Sequence, residues 1–391
     1  MENVLSHNVP EFVHEIGEPV ETGDILITGA TGFLGVHVLK YLLDHTMKMI
    51  YCLINEDSDT AEQPLQNMLM YYFDGPMWEM FGSRIRCIKG DLTDEASIDA
   101  LAAYDFKTVI NCASCQKEAY KVMEAVNQKG VENLVSFCVK NSRRLVHVST
   151  VGVAGTDGKG KLPVGKLPVG KVMAENELSF GQALEDKYYE TKFKAEEAVI
   201  GAIEKDGLDG KVIRVGNMTG RYSDGEYRIN FVRNSFMQSL RAYTTLGKVP
   251  VSVLDMPVEF SPIDCTAEAV ALLSATDSKF TVFHATNGHM VQMGDVIDSL
   301  FRVGIAIKIV DDPEFEEAYK AAYADKEKRH IVAPVAPKKS KEGFLAGGYI
   351  GHSNTFTTKA LYRMKFKWPI INEDYMANAF RALKELDFFH G

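Results

Sequence analysis

Short, almost continuously apolar runs alternate with segments of helical periodicity over the first half of the chain. The runs occupy residues 25–28, 49–54, 85–89, 108–111, 145–149 and 211–215. Runs that are apolar at every position are typical of strands buried on both faces, and their alternation with helices is typical of parallel sheets. The pattern therefore predicts an α/β fold with a doubly wound parallel sheet.

The regular alternation ends near Gly220, and segments of helical periodicity dominate the rest of the chain. A further apolar run at 280–287 predicts a strand that returns to the main sheet near 280–286. We therefore expect a polar linker or tether over 1–23 and a first domain over 24–225. A smaller, mostly helical second domain over 226–391 would bind the substrate.

The composition excludes several classes of protein. The 391 residues are 46% hydrophobic and 25% charged, with a formal net charge of −10. This charge argues against a nucleic-acid partner, because few cations are available to neutralise phosphates. No apolar run approaches the roughly 18 residues of a membrane span, and the amino terminus lacks the apolar stretch of a signal peptide. Six cysteines are too few for a disulfide scaffold, so we expect a cytoplasmic protein with free thiols and no membrane partner.

The strongest local motif is TGATGFLG at 28–35, directly after the first predicted strand. Gly29 permits a tight turn, Gly32 permits close approach of a pyrophosphate, and Gly35 permits close helix–strand packing. The following helix would direct its free N–H groups at the phosphates. The motif therefore predicts a Rossmann-type dinucleotide site, whose expected contacts are Gly29, Thr31, Gly32, Phe33, Leu34 and Gly35.

Further candidate cofactor contacts lie at the ends of the third and fourth predicted strands. Asp91 and Leu92 follow the third strand, and Asn111, Cys112 and Ala113 end the fourth. Ligands of open α/β sheets bind at this edge. A single Asp at a strand end is as often a turn former as a ligand, but its context here favours a hydrogen bond from Asp91 to the adenine amino group.

The end of the second predicted strand bears on the choice of cofactor. Asn55 stands there, followed by two acidic residues and with no Arg or Lys beside it. NADPH needs a cation for its 2′-phosphate, whereas NADH prefers a carboxylate on its 2′-hydroxyl. Charge alone therefore favours NADH slightly, and Asn55 is a candidate cofactor contact.

Three residues are candidates for catalysis. Tyr188 and Lys192 stand four residues apart on a predicted helix, so they share one face. A nearby ammonium lowers the pKa of a phenol, which would make Tyr188 a usable proton donor, and Lys192 would also hold the nicotinamide ribose. Thr150 ends the fifth predicted strand, where its hydroxyl would hydrogen-bond a substrate carbonyl oxygen as charge develops on it.

Two other features have a structural interpretation. Cys112 and Cys115 form a C-x-x-C, but no second pair supplies four zinc ligands, so no metal site is expected. His147 lies within the fifth predicted strand, and we expect it to be a packed core residue.

Six stretches are similar to one known family. They are GDILITGATGFLGVHVLKYLL, YYETKFKAEEAV, RVGNMTGRYSDG, EFSPIDCTAEAV, FTVFHATN and FTTKALYRMKFKWP, and the similarity extends from about residue 12 to the carboxyl end. The chain resembles the thioester reductase domains that end nonribosomal peptide synthetases, within the extended short-chain dehydrogenase/reductase superfamily. RVGNMTGRYSDG is particular to this family, and the resemblance adds Gly216 and Asn217 to the expected cofactor contacts.

The resemblance implies a reaction on an acyl or peptidyl thioester held by the phosphopantetheine of a carrier protein. Hydride from NADPH would reduce the thioester, with Thr150 and Tyr188 supporting the oxyanion, and an aldehyde would be released. A second reduction to an alcohol occurs in some members. Residues 1–23 would then be the linker to the carrier.

Two regions bear on the cofactor and the partner that the resemblance implies. Relatives that use NADPH usually carry a basic residue at the position of Asn55 and another near Pro64, so NADH stays an option. The loop after the fifth predicted strand gathers four cations, and one hypothesis is that they contact an acidic carrier, with a solvated loop as the alternative. These cations are Lys159, Lys161, Lys166 and Lys171.

Two other functions remain open at this point. A sugar-nucleotide epimerase or dehydratase uses the same glycines and the same Tyr/Lys pair with a tightly held NAD. A non-catalytic protein that binds dinucleotide as a sensor or scaffold would also have the glycine turn. The presence of Thr150, Tyr188 and Lys192 together argues against the non-catalytic function.

Overall fold

The computed structural model describes residues 2–55, 60–116, 119–155, 172–179, 181–227, 235–337 and 351–389. Within these ranges the strands are β1 Ile25–Thr28, β2 Ile50–Ile54, β3 Ile85–Lys89, β4 Thr108–Asn111, β5 Arg144–Thr150, β6 Gly210–Val215, β7 Met218–Thr219, β8 Lys248–Pro250, β9 Pro257–Val258, β10 Ser261–Pro262, β11 Val282–Ala285, β12 Val291–Gln292 and β13 Lys308–Val310.

The α-helices of the same ranges alternate with these strands in the first half and dominate the second. They are α1 Glu2–Leu5, α2 Phe33–His45, α3 Gln63–Tyr72, α4 Glu95–Asp99, α5 Tyr120–Met123, α6 Gly130–Lys140, α7 Lys187–Asp206, α8 Ser235–Leu246, α9 Ile263–Ser274, α10 Met293–Arg302, α11 Asp312–Ala324, α12 Arg329–Val332, α13 Thr355–Arg363 and α14 Glu373–Glu385. A π-helical segment, Glu124–Lys129, joins α5 to α6.

Seven strands form one parallel sheet in the order β11-β6-β5-β4-β1-β2-β3. The order reverses between β1 and β4, where Ile25 pairs with Ile50 of β2 on one side and Thr108 of β4 on the other. Such a reversal opens a crevice at the carboxyl ends of the two strands. The predicted α/β fold with a doubly wound parallel sheet is confirmed, and the strand expected near 280–286 lies in the sheet as β11, paired with β6.

The two faces of the sheet carry different layers of apolar side chains, because successive residues of a strand point to opposite faces. On one face, Ile25 and Ile27 pack in a cluster with residues of α2, α9 and α13. On the other face, Leu26 packs in a cluster with residues of α6 and α7. The sheet is therefore covered on both faces, as its continuously apolar strands require.

A separate cluster of buried side chains is built by the second half of the chain. It joins residues of α8, α10, α11, α12 and α14, from Tyr227 to Phe388. The sheet clusters also draw in residues beyond 225, since Ala267 of α9 and Phe356 of α13 are buried there. The division of the chain at 225 into two domains stays a prediction, and the packing across it is interleaved.

The segment predicted to be a polar tether packs on the edge of the sheet. Asn8 is buried, donates a hydrogen bond to the carbonyl of Val282 and accepts one from the N–H of Thr281 at 3.1 Å. Leu5 and Val13 are buried in the clusters on the two faces. Residues 2–16 therefore pack against the β11 edge of the sheet. Their role as a linker to another domain stays a prediction.

Candidate active site

The glycine turn after β1 has the geometry of a phosphate cradle. Gly29 has φ +70°, and a Cβ there would lie 2.6 Å from the Cα of Ala113, because the loop after β4 passes directly against it. A Cβ on Gly35 would lie 2.1 Å from the carbonyl oxygen of Gly29. These two glycines are therefore required by backbone packing.

Gly32 has a different role from its two neighbours. It is the N-cap of α2, and within the described chain no side chain caps the helix at this point. A Cβ on Gly32 would meet, among the described atoms, the carbonyl oxygen of Gly29 alone, at 3.1 Å. An uncapped helix N-terminus beside a bare backbone fits a pyrophosphate, which needs unpaired N–H groups and close approach.

The two residues that follow Gly32 place their side chains differently: that of Leu34 lies in the core and that of Phe33 lies beside the turn. Leu34 is buried in the sheet core, so a cofactor contact from this residue would come from its backbone. The ring of Phe33 lies 5.8 Å from the ring of Tyr72 and 5.8 Å from that of Tyr227. These contacts fix Phe33 at the mouth of the turn, beside Thr31.

Asp91 and Leu92 take structural positions in the loop after β3. One carboxylate oxygen of Asp91 accepts hydrogen bonds from both the N–H and the hydroxyl of Thr93, each at 2.8 Å. The side chain of Leu92 is buried, and its carbonyl accepts a bond of 3.1 Å from Asn133. Asp91 is therefore a turn former here, and its contact with adenine stays a prediction, as does that of the exposed Asn55 at the end of β2.

The end of β4 is tied to β1 by hydrogen bonds. Asn111 is fully buried, and its Oδ1 accepts from the hydroxyl of Thr28 at 2.6 Å and from the N–H of Ala113 at 3.2 Å. The N–H of Cys112 donates to the carbonyl of Thr28 at 3.0 Å. Burial raises the pKa of the Cys112 thiol to about 12, against an opposing effect of Lys192, so this thiol is inert.

Tyr188 and Thr150 lie on adjoining elements. Tyr188 is in the first turn of α7, where its N–H donates to the capping carboxylate of Asp186 at 2.8 Å. Thr150 ends β5, and a Cβ on Gly152 in the following turn would lie 2.2 Å from the ring of Tyr189. The turn after β5 therefore packs directly under the first turn of α7, which carries Tyr188.

The hydroxyl groups at this edge have defined partners. Oγ1 of Thr150 accepts a hydrogen bond from the N–H of Gly152 at 3.1 Å, so its own hydrogen is the group left to donate. Ser114, in the loop after β4, donates to the hydroxyl of Tyr188 at 3.3 Å. Ser114 was not selected from the sequence, because a single serine in a loop has no pattern.

Lys192 is buried one turn further along α7. Its Nζ donates to the carbonyl of Val148 at 2.6 Å and lies 3.3 Å from Nε2 of His147. Burial lowers the pKa of Lys192 to about 8, and the negative charge of Glu196 acts in the opposite direction. His147 is fully buried, as the sequence predicted, but it is hydrogen-bonded to polar groups on both sides.

Gly216 and Asn217 follow β6 and are held by a residue that sequence reasoning missed. A Cβ on Gly216 would lie 2.5 Å from the carboxylate of Glu259, to which the N–H of Asn217 donates. The side chain of Asn217 also donates to the carbonyl of Glu259 at 2.9 Å. Burial raises the pKa of Glu259 to about 7. Glu259 lies in the stretch EFSPID and carried no pattern of its own.

Several other predictions concern what the site does not contain. Within the described ranges, no group of three or more His, Cys, Asp or Glu side chains is placed to hold a metal ion. Among the helices of those ranges, none is long and apolar enough to cross a membrane.

The loop that was proposed to contact a carrier lies outside the described residues. Its four cations are Lys159, Lys161, Lys166 and Lys171.

The fold and the site define a class of protein. A parallel sheet with a glycine cradle at its switch point, and a Tyr/Lys pair beside a strand-end Thr, are the features of nicotinamide-dependent oxidoreductases with a Rossmann-type domain. Comparison with known proteins agrees. A family model described as male sterility protein, of the NAD-binding type, matches residues 27–270.

The most informative similarity is to the thiolation-reductase di-domain of an archaeal nonribosomal peptide synthetase. The identity is 32%, the TM-score is 0.88, and the match covers 100% of this chain and 80% of that one. The reductase domain of the aureusimine biosynthetic cluster matches at 25% identity with a TM-score of 0.78, over 98% of this chain and 97% of that one.

A linear gramicidin synthase chain of Brevibacillus parabrevis is 26% identical over 392 residues. That match covers 95% of this chain but 7% of the relative, so the chain spans less than a tenth of that relative's length. The chain belongs to the male sterility NAD-binding family and, within it, to the reductase domains of nonribosomal peptide synthetases. It is therefore an oxidoreductase that uses a nicotinamide cofactor, as the sequence predicted.

Proposed function

We propose that this chain reduces an acyl or peptidyl thioester on a carrier-protein phosphopantetheine and releases it as an aldehyde. The observation that carries the proposal is the placement of Thr150, Tyr188 and Lys192 at the edge of the sheet where the glycine cradle opens. Similarity over the whole chain to a thiolation-reductase di-domain supports the same function. A further reduction to an alcohol is compatible with the same residues.

The chain's own residues supply binding, orientation and a proton. The cradle at Gly32 and the loops at Asn111 and Asn217 would hold the cofactor, which supplies a hydride to the thioester carbonyl carbon. The hydroxyl of Thr150, whose oxygen is already engaged by the N–H of Gly152 at 3.1 Å, donates to the carbonyl oxygen. Tyr188 gives its phenolic proton to that oxygen, and the resulting thiohemiacetal breaks its C–S bond to give an aldehyde and a thiol.

The proposed cofactor is NADPH, with NADH as a second candidate donor. The family resemblance supports NADPH. The exposed Asn55 at the end of β2 brings no positive charge to a 2′-phosphate. We therefore expect a smaller preference for NADPH than a basic residue at this position would give.

The test follows the absorbance of the reduced nicotinamide with an acyl-coenzyme A or acyl-pantetheine thioester, using NADPH and NADH in separate assays. Tyr188→Phe should abolish oxidation, because the proton donor is lost. Tyr189→Phe is the matched control: it removes a neighbouring hydroxyl and keeps the ring that packs on Gly152. Thioester-dependent oxidation that survives in Tyr189→Phe and disappears in Tyr188→Phe would establish the reaction.

A second assay with a loaded carrier protein addresses the partner. Turnover on the carrier and none on small thioesters would mean that the carrier is recognised strictly. Continued inactivity on both substrates would reject the proposal. Copurified NAD together with binding of a nucleoside diphosphate would then favour the epimerase alternative, and cofactor binding without turnover the non-catalytic one.

A further inference from the structure

Glu259 is a charged group that the proposed reaction does not use. It lies between β9 and β10 and is half-buried, and one of its carboxylate oxygens accepts from the N–H of Asn217. The other oxygen accepts from the hydroxyl of Ser261 and, at 3.4 Å, from the N–H of Asn287. The carboxylate therefore joins three segments: the loop after β6, the start of β10 and the loop after β11.

The register of the sheet places this carboxylate beside the candidate catalytic residues. Val215, the last residue of β6, pairs with Thr150 of β5. Gly216 comes directly after Val215, and a Cβ on Gly216 would lie 2.5 Å from Oε2 of Glu259. Neighbouring strands of a sheet are about 4.8 Å apart. The carboxylate of Glu259 therefore lies against backbone that is one strand away from Thr150.

Within the part of the chain that the structure describes, no cation is paired with this carboxylate. Its partners there are two backbone N–H groups and a hydroxyl, all of them neutral donors. Burial raises the pKa of Glu259 to about 7, and these neutral hydrogen bonds act in the opposite direction. A carboxylate that is partly withdrawn from water without a counter-ion costs free energy. A ligand that brings a positive charge to this place would remove that cost.

The nicotinamide ring is a ligand group that acquires such a charge. A hydride takes an electron pair with it when it leaves, so the neutral reduced ring becomes a cation. Gly216 and Asn217 are expected cofactor contacts, and the hydride would pass to a carbonyl bound by Thr150 on the neighbouring strand. The positive charge would therefore arise beside the segment that Glu259 holds.

We propose that Glu259 is the counter-charge of the oxidised nicotinamide and binds this form in preference to the reduced form. The carboxylate stabilises the positive charge that appears on the ring, and it thereby makes the bound reduced cofactor a stronger hydride donor. Such a residue suits a site that works in the direction of reduction. The inference rests on the nicotinamide cofactor alone and holds whether or not the hydride acceptor is a thioester.

The other titratable groups around this segment have different states or partners. The ring of His352, which bonds the loop after β11, is neutral because burial lowers its pKa to about 4. His289, further along that loop, is exposed. The carboxylate of Asp264 in α9 accepts from the N–H of Tyr222 at 2.9 Å. Lys192 titrates in a neighbouring range, since burial lowers its pKa to about 8, so a test must separate the two.

The first test measures cofactor binding and uses no thioester. Isothermal titration gives the Kd of NADP+ and of NADPH for the whole chain at pH 8, where the carboxylate is ionised. In Glu259→Gln the ratio of the Kd for NADP+ to the Kd for NADPH should rise roughly tenfold, the order expected for one charge acting on another inside a protein. The adenosine half is common to both forms, so its contacts cancel in the ratio. NAD+ and NADH replace this pair if they bind more tightly.

Glutamine keeps the shape and the main hydrogen bonds of this side chain. Its oxygen accepts from the N–H of Asn217, and its amide nitrogen donates to the hydroxyl of Ser261, which can accept as well as donate. Glu175→Gln is the matched control, because burial also raises the pKa of Glu175 to about 7 but its partners are N–H groups of α13. The control should leave the ratio unchanged. An unchanged ratio in Glu259→Gln, or an equal rise in Glu175→Gln, would overturn the proposal.

The second test uses the wild-type chain and does not depend on the folding of a variant. Because the carboxylate ionises around pH 7, the Kd of NADP+ relative to that of NADPH should fall as the pH rises from 6 to 7.5. Deprotonation of Lys192 acts in the same direction but is centred on pH 8. In Glu259→Gln most of the change below pH 7.5 should therefore disappear, while the change above it remains. A wild-type ratio that stays constant from pH 6 to 7.5 would contradict the proposal.

Discussion

At the scale of single residues, the three glycines after β1 differ in what surrounds them. A Cβ on Gly35 would overlap the carbonyl of Gly29 at 2.1 Å, and one on Gly29 would overlap the backbone of Ala113 at 2.6 Å. Gly32 has φ −76°, which any residue adopts, and its nearest contact for a Cβ is at 3.1 Å. Gly29 and Gly35 are therefore required by the fold, whereas Gly32 would be required by the space that a cofactor needs.

This difference predicts opposite results for two matched variants. Gly32→Ala should lose less thermal stability than Gly35→Ala, since the carbonyl oxygen of Gly29 at 3.1 Å need shift only slightly. It should lose roughly tenfold in affinity for the nicotinamide cofactor, about 1.4 kcal/mol, since a methyl group would stand in the phosphate cradle. Gly35→Ala should lose at least about 2 kcal/mol of unfolding free energy, since backbone cannot move aside. Thermal unfolding and cofactor titration measure both. Wild-type affinity in Gly32→Ala would contradict the assignment of the cradle.

How far single residues could be predicted from sequence depends on whether their role is local. The glycines could be assigned because a turn between strand and helix has a local pattern. For Asp91 the sequence favoured an adenine contact by context alone, because a turn-forming aspartate and an adenine ligand occupy the same position in a motif. Glu259 was missed because Asn217 and Asn287, whose N–H groups donate to its carboxylate, are brought to it by the tertiary fold.

At the scale of elements, the π-helical segment between α5 and α6 fixes the loop that faces Tyr188. Asn127 lies in this segment, and its amide pairs with both the N–H and the carbonyl of Cys115, each at 2.8 Å. The same amide donates to the hydroxyl of Thr191 on α7 at 3.1 Å. Ser114, which bonds Tyr188, directly precedes Cys115, so Asn127 connects the loop after β4 to the helix of the active site.

Asn127→Ala should therefore reduce both stability and turnover. We expect a loss of about 2 kcal/mol in unfolding free energy, because the N–H and carbonyl of Cys115 and the hydroxyl of Thr191 each lose a hydrogen bond to Asn127. We also expect roughly a tenfold loss of kcat, because the loop that carries Ser114 is no longer held. Urea unfolding and steady-state kinetics measure the two effects. Asn141→Ala, which removes one bond of 2.8 Å to Phe137 at the end of α6, is the control and should keep its kcat. An unchanged kcat in Asn127→Ala would show that the hydrogen bonds of Asn127 stabilise the fold without affecting catalysis.

Elements with a strong local pattern were predicted closely, and those defined by distant contacts were missed. The run at 108–111 and the strand Thr108–Asn111 coincide, because every position of that strand is buried. The helix α13, Thr355–Arg363, was not predicted from its mixed sequence, and it is stabilised by packing of Phe356 on the sheet. The two-residue strands, such as β7 with β10, pair across about 40 residues of sequence and are too short to show a periodicity.

At the scale of the whole molecule, buried carboxylates connect segments that are distant in sequence. Glu175 is 2% exposed and accepts hydrogen bonds from the first N–H groups of α13, those of Thr357 at 2.8 Å and Phe356 at 3.4 Å. The neighbouring Met173 pairs with Gly351 and Ser353 through its backbone. The segment 172–179 is thereby fastened to α13, which in turn packs against β11.

The carboxyl of Glu175 should make the stability of the whole fold depend on pH. Burial raises its pKa from 4.5 to about 7, although the hydrogen bonds from Thr357 and Phe356 act in the opposite direction. The folded state therefore binds the proton more tightly than the unfolded state, so the contribution of Glu175 to stability is fully present below pH 4.5 and is lost as the pH rises to about 7. The full effect is of the order of 3 kcal/mol, at about 1.4 kcal/mol per pKa unit.

The variant Glu175→Gln tests this dependence, because its side chain cannot ionise. Between pH 5 and pH 8, its free energy of unfolding should increase relative to that of the wild type by up to this amount. Urea unfolding gives the free energy of unfolding of both proteins at each pH. Their difference cancels the contributions of the titratable groups that both proteins share. A difference that stays constant from pH 5 to pH 8 would mean that the Glu175 carboxylate is already ionised throughout, and that the N–H groups of α13 outweigh its burial.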